Sequence, residues 1–436
     1  MKTYDSYKPS GVDWIGNIPE GWEVKRLKRC LCEPLKYGAN ESAEYDNREW
    51  PRYIRITDID QSGTLKEENF KSLPPQVAEE YLLKKGDILF ARSGSVGRTY
   101  LFIGDFEACY AGYLIRARCN NKLKPSFLRY FTLSSPYISW IDSISIQTTI
   151  SNVSAEKYYS LPIPLPPLSE QVEIAGYLDK KVGEIDGIIK GYEEQIADLK
   201  AFRSSTISEA VTRGLDPNAT LKPSGVDWIG NIPEGWEVKK IRRICKLKTG
   251  TTPSTDMREW FDGDLQWFTP GDFKNDFVLK CSSRTLTQRA KEAGVAVIAP
   301  ANTVLIVGIG SVGKVAISKC ECSFNQQITA LMPTTKHVEP QYLMYRMVVV
   351  GEYLGRIATS TILPIINNQI IGDTYISLPP LSVQREIAGY LDKKVGEIDG
   401  IIKGYEEQIA DLKAFRSSTI SEVVTGKVKV IDEKTA

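Results

Sequence analysis

Two long stretches of this 436-residue sequence occur twice, letter for letter, and a chain duplicated in that way is expected to fold as a pair of like units. KPSGVDWIGNIPEGWEVK stands at residues 8–25 and again at 222–239. EIAGYLDKKVGEIDGIIKGYEEQIADLKAFRSSTISE stands at 173–209 and again at 386–422, so the two offsets are 214 and 213 residues. The regions between, about 29–161 and 244–375, have diverged strongly but keep a common skeleton. DILFARSGSVGRT at 87–99 aligns with TVLIVGIGSVGKV at 303–315. YIRITDI at 53–59 aligns with WFTPGDF at 267–273, which sets Asp58 opposite Asp272. Identical frames around divergent inserts describe one scaffold carrying two different variable domains.

The longer repeat reads as a helix with a coiled-coil seam. Leu178, Val182, Ile185, Ile189, Tyr192, Ile196 and Leu199 follow each other at alternating steps of four and three, a period of 3.5. The second copy repeats the seam as Leu391, Val395, Ile398, Ile402, Tyr405, Ile409 and Leu412. The natural partner of one seam is the other, and 37 residues at about 1.5 Å each make a rod of roughly 55 Å. PLPPLSEQ supplies the stop before the first helix and offers Ser169 as its N-cap. Gly183, Gly187 and Gly191 recur at four-residue spacing, which predicts close packing of another helix against that face.

Composition narrows the function classes. Apolar residues make up 42% and charged residues 25%, ordinary for a globular protein, and the N-terminus lacks the apolar core of a signal peptide, so a cytoplasmic protein is expected. A single histidine, His337, argues against His-based zinc sites and His-dependent triads. The eight cysteines include two C-x-C pairs but no C-x-x-C, and read as reduced and structural. Each helix copy holds eight acids and five bases, so a chain of net charge +1 carries +7 outside the two copies. A basic remainder suits an anionic partner.

The variable regions read as short β-rich runs joined by turns. One glycine-rich loop invites a nucleotide reading: Gly308-x-Gly310-x-x-Gly313-Lys314 has dinucleotide-turn spacing and falls one residue short of a P-loop, with Val315 in place of Ser or Thr. Such a turn must open a helix, whereas KVAISKCECSFNQQITALMP continues as strand. The equivalent loop of the first copy, Arg92 to Arg98, lacks the first glycine. What survives in both is Gly-Ser-Val-Gly followed by a cation, a strand-connecting turn whose N–H groups, serine and cation suit a phosphate backbone.

The order of motifs, taken over essentially the whole chain, resembles the specificity subunit of type I restriction–modification systems. The resemblance is carried by GVDWIGNIPEGWEVKRL at 11–27, YIRITDI, GDILFARSGSVGR, LPIPLPPLSEQVEIAGYLD at 161–179 and their second-half counterparts, and by SFNQQITALMP at 323–333. One departure is LSVQREI where the first copy has LSEQVEI. The resemblance implies two target recognition domains, each reading one half of an asymmetric bipartite DNA site. It also implies a helix pair that sets their spacing and docks two methyltransferase subunits, with restriction/translocase subunits completing the complex and directing adenine-N6 methylation and restriction. The chain would then be non-catalytic and bind no cofactor, S-adenosylmethionine, ATP and magnesium belonging to the partners. The residues agree: they contain neither a methyltransferase Asn/Asp-Pro-Pro-Tyr/Phe motif nor a P-loop.

The expected fold is α+β: two β-rich recognition domains separated by two long helices in an antiparallel coiled coil, with a pseudo-twofold repeat. The expected segments are 1–165, 166–215, 216–378 and 379–436. DNA-contacting candidates in the first domain are Arg52, Arg55, Arg92, Ser95, Arg98, Tyr113, Gln147 and Thr148. Those in the second are Thr269, Lys274, Ser311, Lys314, Asn325, Gln326 and Ser360. Two competing readings are a coiled-coil protein-interaction scaffold and a nucleotide-binding enzyme using the 308–314 loop.

Overall fold

The structure is a computed structural model that describes residues 2–60, 62–145, 152–274, 277–358 and 365–430. It divides into two compact units, Met1–Tyr192 with Glu407–Ala436, and Glu193–Glu406. These units cut across the four expected segments, because each long helix contributes one half to each unit.

The long helices run over Leu168–Arg213 and Leu381–Val424. In the first unit, Leu178 and Val182 share a buried cluster with Ile420, Val423 and Val424, while Asp186 meets Arg416 further along at 3.0 Å. The partner's number falls as the first helix's number rises, so the helices are antiparallel. In the second unit Arg203 pairs with Asp399, and Leu391 and Val395 cluster with Ile207 and Val211. The two ion pairs are one pair written twice, since Asp399 and Arg416 are the repeat equivalents of Asp186 and Arg203. The seam positions Leu178, Val182, Ile185, Ile189 and Ile196 are buried, as are Leu391, Val395, Ile398, Ile402 and Ile409. Tyr192, Leu199, Tyr405 and Leu412 are half-buried.

Two sequence expectations about these helices need correction. The first helix starts at Leu168, and the amide of Gln171 donates to the Pro167 carbonyl at 3.0 Å, so Pro167 occupies the cap and Ser169 lies inside the first turn. The glycine face stands open among the described residues: a Cβ built on Gly183, Gly187 or Gly191, or on Gly396, Gly400 or Gly404, meets nothing within 4 Å.

The repeated segments fasten each variable domain to its helix. Glu23–Arg26 pairs antiparallel with Pro162–Leu165, the strand leading into the first helix, and Glu237–Lys240 pairs likewise with Tyr375–Leu378. A buried glutamine in the helix's first turn then pins the domain. Gln171 accepts from the Lys124 amide at 2.8 Å and donates to the Lys122 and Pro166 carbonyls at 3.0 and 2.9 Å. Gln384 accepts from the Glu339 amide and donates to the His337 and Pro379 carbonyls. A tyrosine adds a second fastening: Tyr130 donates to Asp179 at 2.6 Å and Tyr345 donates to Asp392 at 2.9 Å. The replacement of Glu170 by Val383 also acquires a meaning. Glu170 accepts from the Trp22 indole at 3.0 Å and from the Tyr4 hydroxyl, tying down the N-terminal segment, whereas Val383 packs into the apolar core.

Each variable domain is built on a short sheet. In the first, the strand order is Lys36–Tyr37, Leu114–Ala117, Ile88–Ala91, Thr99–Leu101, all antiparallel, with a parallel pair Arg52–Ile54 and Ala108–Tyr110 beside it. In the second, Cys245–Thr249, Ile328–Pro333, Val304–Val307 and Val315–Ser318 repeat that order, with Val278–Leu279 added in parallel. Both domains also carry helices that the β-rich reading did not foresee, among them Pro125–Phe131, Ser135–Ser145 and Pro340–Ala358. Burial pushes the thiols of Cys109, Cys245 and Cys322 up to about 12, which keeps them protonated core residues, while Cys32 and Cys281 are exposed.

One core position breaks the symmetry. Arg346 stands where the first repeat has the fully buried Phe131, and none of its three guanidinium nitrogens finds a hydrogen-bond partner among the described residues. It lies over the Trp228 ring at 5.0 Å, and burial pushes its pKa down to about 10. Arg346→Met is therefore expected to stabilise the second unit by about 1–3 kcal/mol. An upward shift of the urea unfolding midpoint, without loss of helix signal, is the outcome that checks this.

Candidate nucleic-acid interface

In both domains the Gly-Ser-Val-Gly loop is a hairpin turn. Residues 92–98 join Ile88–Ala91 to Thr99–Leu101, and residues 308–314 join Val304–Val307 to Val315–Ser318. Gly94, Gly97, Gly310 and Gly313 all have positive φ, the backbone such a turn requires. Neither turn opens a helix, so the geometry needed to hold a nucleotide's phosphates on a helix N-terminus is missing. The second glycine also packs on a helix: a Cβ on Gly313 would lie 2.2 Å from the Gly351 carbonyl oxygen. Gly308, private to the second domain, passes close to the Ile366 carbonyl and receives an amide bond from Ile366 at 2.8 Å.

Around each turn, three further loops converge. In the first domain the Arg92 amide donates to the Tyr113 carbonyl at 3.0 Å, and the Gly112 amide donates to the Ala39 carbonyl at 2.6 Å. In the second, the Gly308 amide donates to the Gln327 carbonyl at 2.7 Å, and the Thr251 amide donates to the Phe324 carbonyl at 3.0 Å. The remaining loop is the tight turn after Arg52–Ile54 or Phe261–Phe268. There Asp58 accepts from the Arg55 amide at 2.9 Å, and Asp272 accepts from the Thr269 amide at 2.7 Å, as their alignment anticipates. Burial alone would raise the Asp272 pKa, but donors from Thr269 and Ser283 outweigh it and hold the carboxyl below its usual range.

The candidates divide by where their side chains go. Tyr113 is 61% exposed, and Ser311, Lys314, Lys274 and Gln326 are exposed on the converging loops. The Lys314 ammonium has no partner among the described residues. Arg92 and Ser95 are half-buried, Arg92 lying over the Tyr37 ring at 4.8 Å with Nε 3.4 Å from Asn152 Oδ1. Arg98 donates to the Ile59 carbonyl at 2.9 Å, and Arg55 chelates Asp58 at 2.8 and 3.0 Å; both are partly committed inside the domain.

Three candidates point inward instead. Arg52 is 5% exposed and pairs with Glu67 at 2.7 Å between the rings of Phe70 and Phe106. Asn325 is buried and bonded twice to Gln327. The Thr269 hydroxyl is spent on Asp272 at 2.9 Å. Their polar groups hold loops rather than face outward. Gln147, Thr148 and Ser360 lie outside the described residues. The sequence reading missed the loops at 38–43 and 250–252. Their signal was Gly38 aligned with Gly250, each held against the carbonyls of the opposite strand so closely that no side chain fits.

No helix among the described residues is long and apolar enough to cross a membrane. The family model for the type I restriction modification DNA specificity domain matches residues 19–197 and 233–410. The chain is 32% identical over 166 residues to the MjaIX type I restriction enzyme specificity subunit of Methanocaldococcus jannaschii, covering 37% of this chain and 38% of the relative. It is 22% identical over 450 residues to the EcoBI specificity subunit of Escherichia coli, covering 98% and 87%. A chain from a solved structure on the assembly and conformational transition of a type I restriction–modification system superposes with a TM-score of 0.72 at 20% identity, covering 94% of this chain and 99% of that one. The duplicated frame, the antiparallel helices and the two matched domains together place this chain in the type I restriction–modification specificity family.

Proposed function

We propose that each recognition domain reads one half of a bipartite, asymmetric DNA site, and that the chain supplies this specificity to methyltransferase and restriction/translocase subunits in the cytoplasm. The observation that carries the reading is a converging-loop face present in both domains with the same backbone but different outward side chains. Like backbones suit like docking on duplex phosphates, and unlike side chains suit unlike half-sites. Cations at the edge of each face, Arg92 and Lys314 foremost, serve phosphate register, while Tyr113 and Gln326 meet base edges. The helix pair sets the distance between half-sites. Adenine methylation, translocation and cleavage belong to the partners, along with their S-adenosylmethionine, ATP and magnesium.

The helices also suit the docking of two equivalent methyltransferase subunits. Each presents the same glycine face with open space over it, beside an isoleucine, Ile188 or Ile401, that is 48% exposed. A partner helix can approach such a face closely and cover the isoleucine. Because the faces are identical in sequence, both should take the same partner.

Duplex affinity of the complex assembled with its methyltransferase subunits should fall about a thousandfold between 50 and 200 mM salt. Loss of that dependence in an anisotropy titration sinks the DNA reading. Lys314→Ala should reduce the salt slope by about one and weaken all sequences alike. Arg98→Ala should do less, because its guanidinium is partly held by Ile59. Gly187→Leu should cost binding of one methyltransferase subunit and Gly187→Leu with Gly400→Leu of both, read as stoichiometry by native mass spectrometry. Unchanged stoichiometry would remove the glycine face from the docking surface.

A further inference from the structure

A recess of about 340 Å³ opens in the first domain between the loops at 39–43, 55–57 and 111–113. Its floor is apolar and buried: Ala39, Tyr53 and Ala111 are 1%, 2% and 6% exposed. Its rim is polar, with Asn40, Glu41 and Thr57 exposed beside Tyr113. The walls are held rigidly. The Tyr53 hydroxyl donates to the carbonyls of Ala39 and Glu41 at 2.9 and 3.1 Å, the Ala39 amide donates to Tyr110 at 2.8 Å, and Arg55 is chelated by Asp58. Gly38 admits no side chain, because its Cβ would lie 2.2 Å from the Tyr110 carbonyl oxygen.

We propose that this recess reads a thymine–adenine pair in the first half-site, seating the thymine C5-methyl group on the apolar floor. The proposal rests on the DNA-reading function above. The thymine methyl is the one apolar group that base pairs present in the major groove, so an apolar floor set against that groove has one matching feature to bind. The Asn40 amide, which has no partner among the described residues, stands at the rim where it can bond bidentately to adenine N6 and N7. The Glu41 carboxylate repels phosphate from the recess and accepts from an exocyclic amine, which turns this part of the face toward base edges rather than backbone. Cations that suit phosphate, Arg92 and Arg98, belong to the neighbouring turn.

The test uses the complex with its methyltransferase subunits and synthetic duplexes of the mapped target in which each thymine in turn is replaced by uracil, deleting only the methyl. One replacement, confined to one half-site, should weaken binding about fourfold, the contribution of a single buried methyl. Asn40→Ala should relax discrimination at that same pair. Ala43→Leu, which fills the recess, should erase the difference between thymine and uracil there, and in both variants the other half-site should keep its selectivity. If every uracil duplex binds within twofold of its parent while binding stays steeply salt-dependent, the recess does not read a methyl group and the DNA-reading function stands. If Ala43→Leu leaves a thymine–uracil difference intact, the methyl is read elsewhere. If no duplex is bound, the DNA-reading function fails and takes this proposal with it.

Discussion

A carboxylate and a guanidinium set the register of the two long helices, and do so twice. An apolar seam of Leu, Val and Ile can slip by a heptad and bury nearly the same area. Asp186 with Arg416 and Asp399 with Arg203 fit one alignment only. Asp186 is half exposed, so its pair adds little to stability; its contribution is specificity of alignment. Two fastenings of each recognition domain are mounted on these helices: Asp179 and Asp392 receive a tyrosine, and Gln171 and Gln384 clamp loop backbone. A slipped register would break both ion pairs.

From those fastenings outward the structure trades identity for variety. The frame strands, the buried glutamines and the tyrosine–aspartate bonds recur almost unchanged. The glycine turns and the capped aspartates recur in backbone but not in the side chains around them. Rigid loop backbones lower the ordering cost of binding, because the loops need not be arranged anew on contact. Gly313 against Gly351 is the clearest case, since the turn and the helix beneath it leave no room for either to move inward.

Much of this was legible in the sequence, and the reasons for what was not are physical. The duplication, the 3.5-residue seam and the glycine turns are local patterns, and the structure has each where the pattern places it. The helix Pro340–Ala358 was harder to foresee, because Val348, Val349 and Val350 are β-branched and its apolar residues crowd more than one face. Whether a cation faces outward depends on neighbours distant in sequence. Arg52 looks like Arg92 in one dimension, yet Glu67, Phe70 and Phe106 enclose the first, while the second stays half-buried over the Tyr37 ring beside Asn152. The recess floor is less legible still, since residues 39, 53 and 111 meet only through the fold. The glycine spacing predicts close packing, yet the face stands open among the described residues, because a helix that packs there need not come from the same stretch of sequence.

The paired fastenings have a consequence for how such proteins diversify. A recognition domain touches its helix through an apolar face, a tyrosine hydroxyl and backbone groups, and the helix offers both repeats the same apolar positions, the same aspartate and the same glutamine. A foreign domain inserted between the frames would need an apolar face to meet the helix, one tyrosine and the right loop length. New specificities can then arise by exchange of whole reading heads, leaving the axle on which they are mounted unaltered.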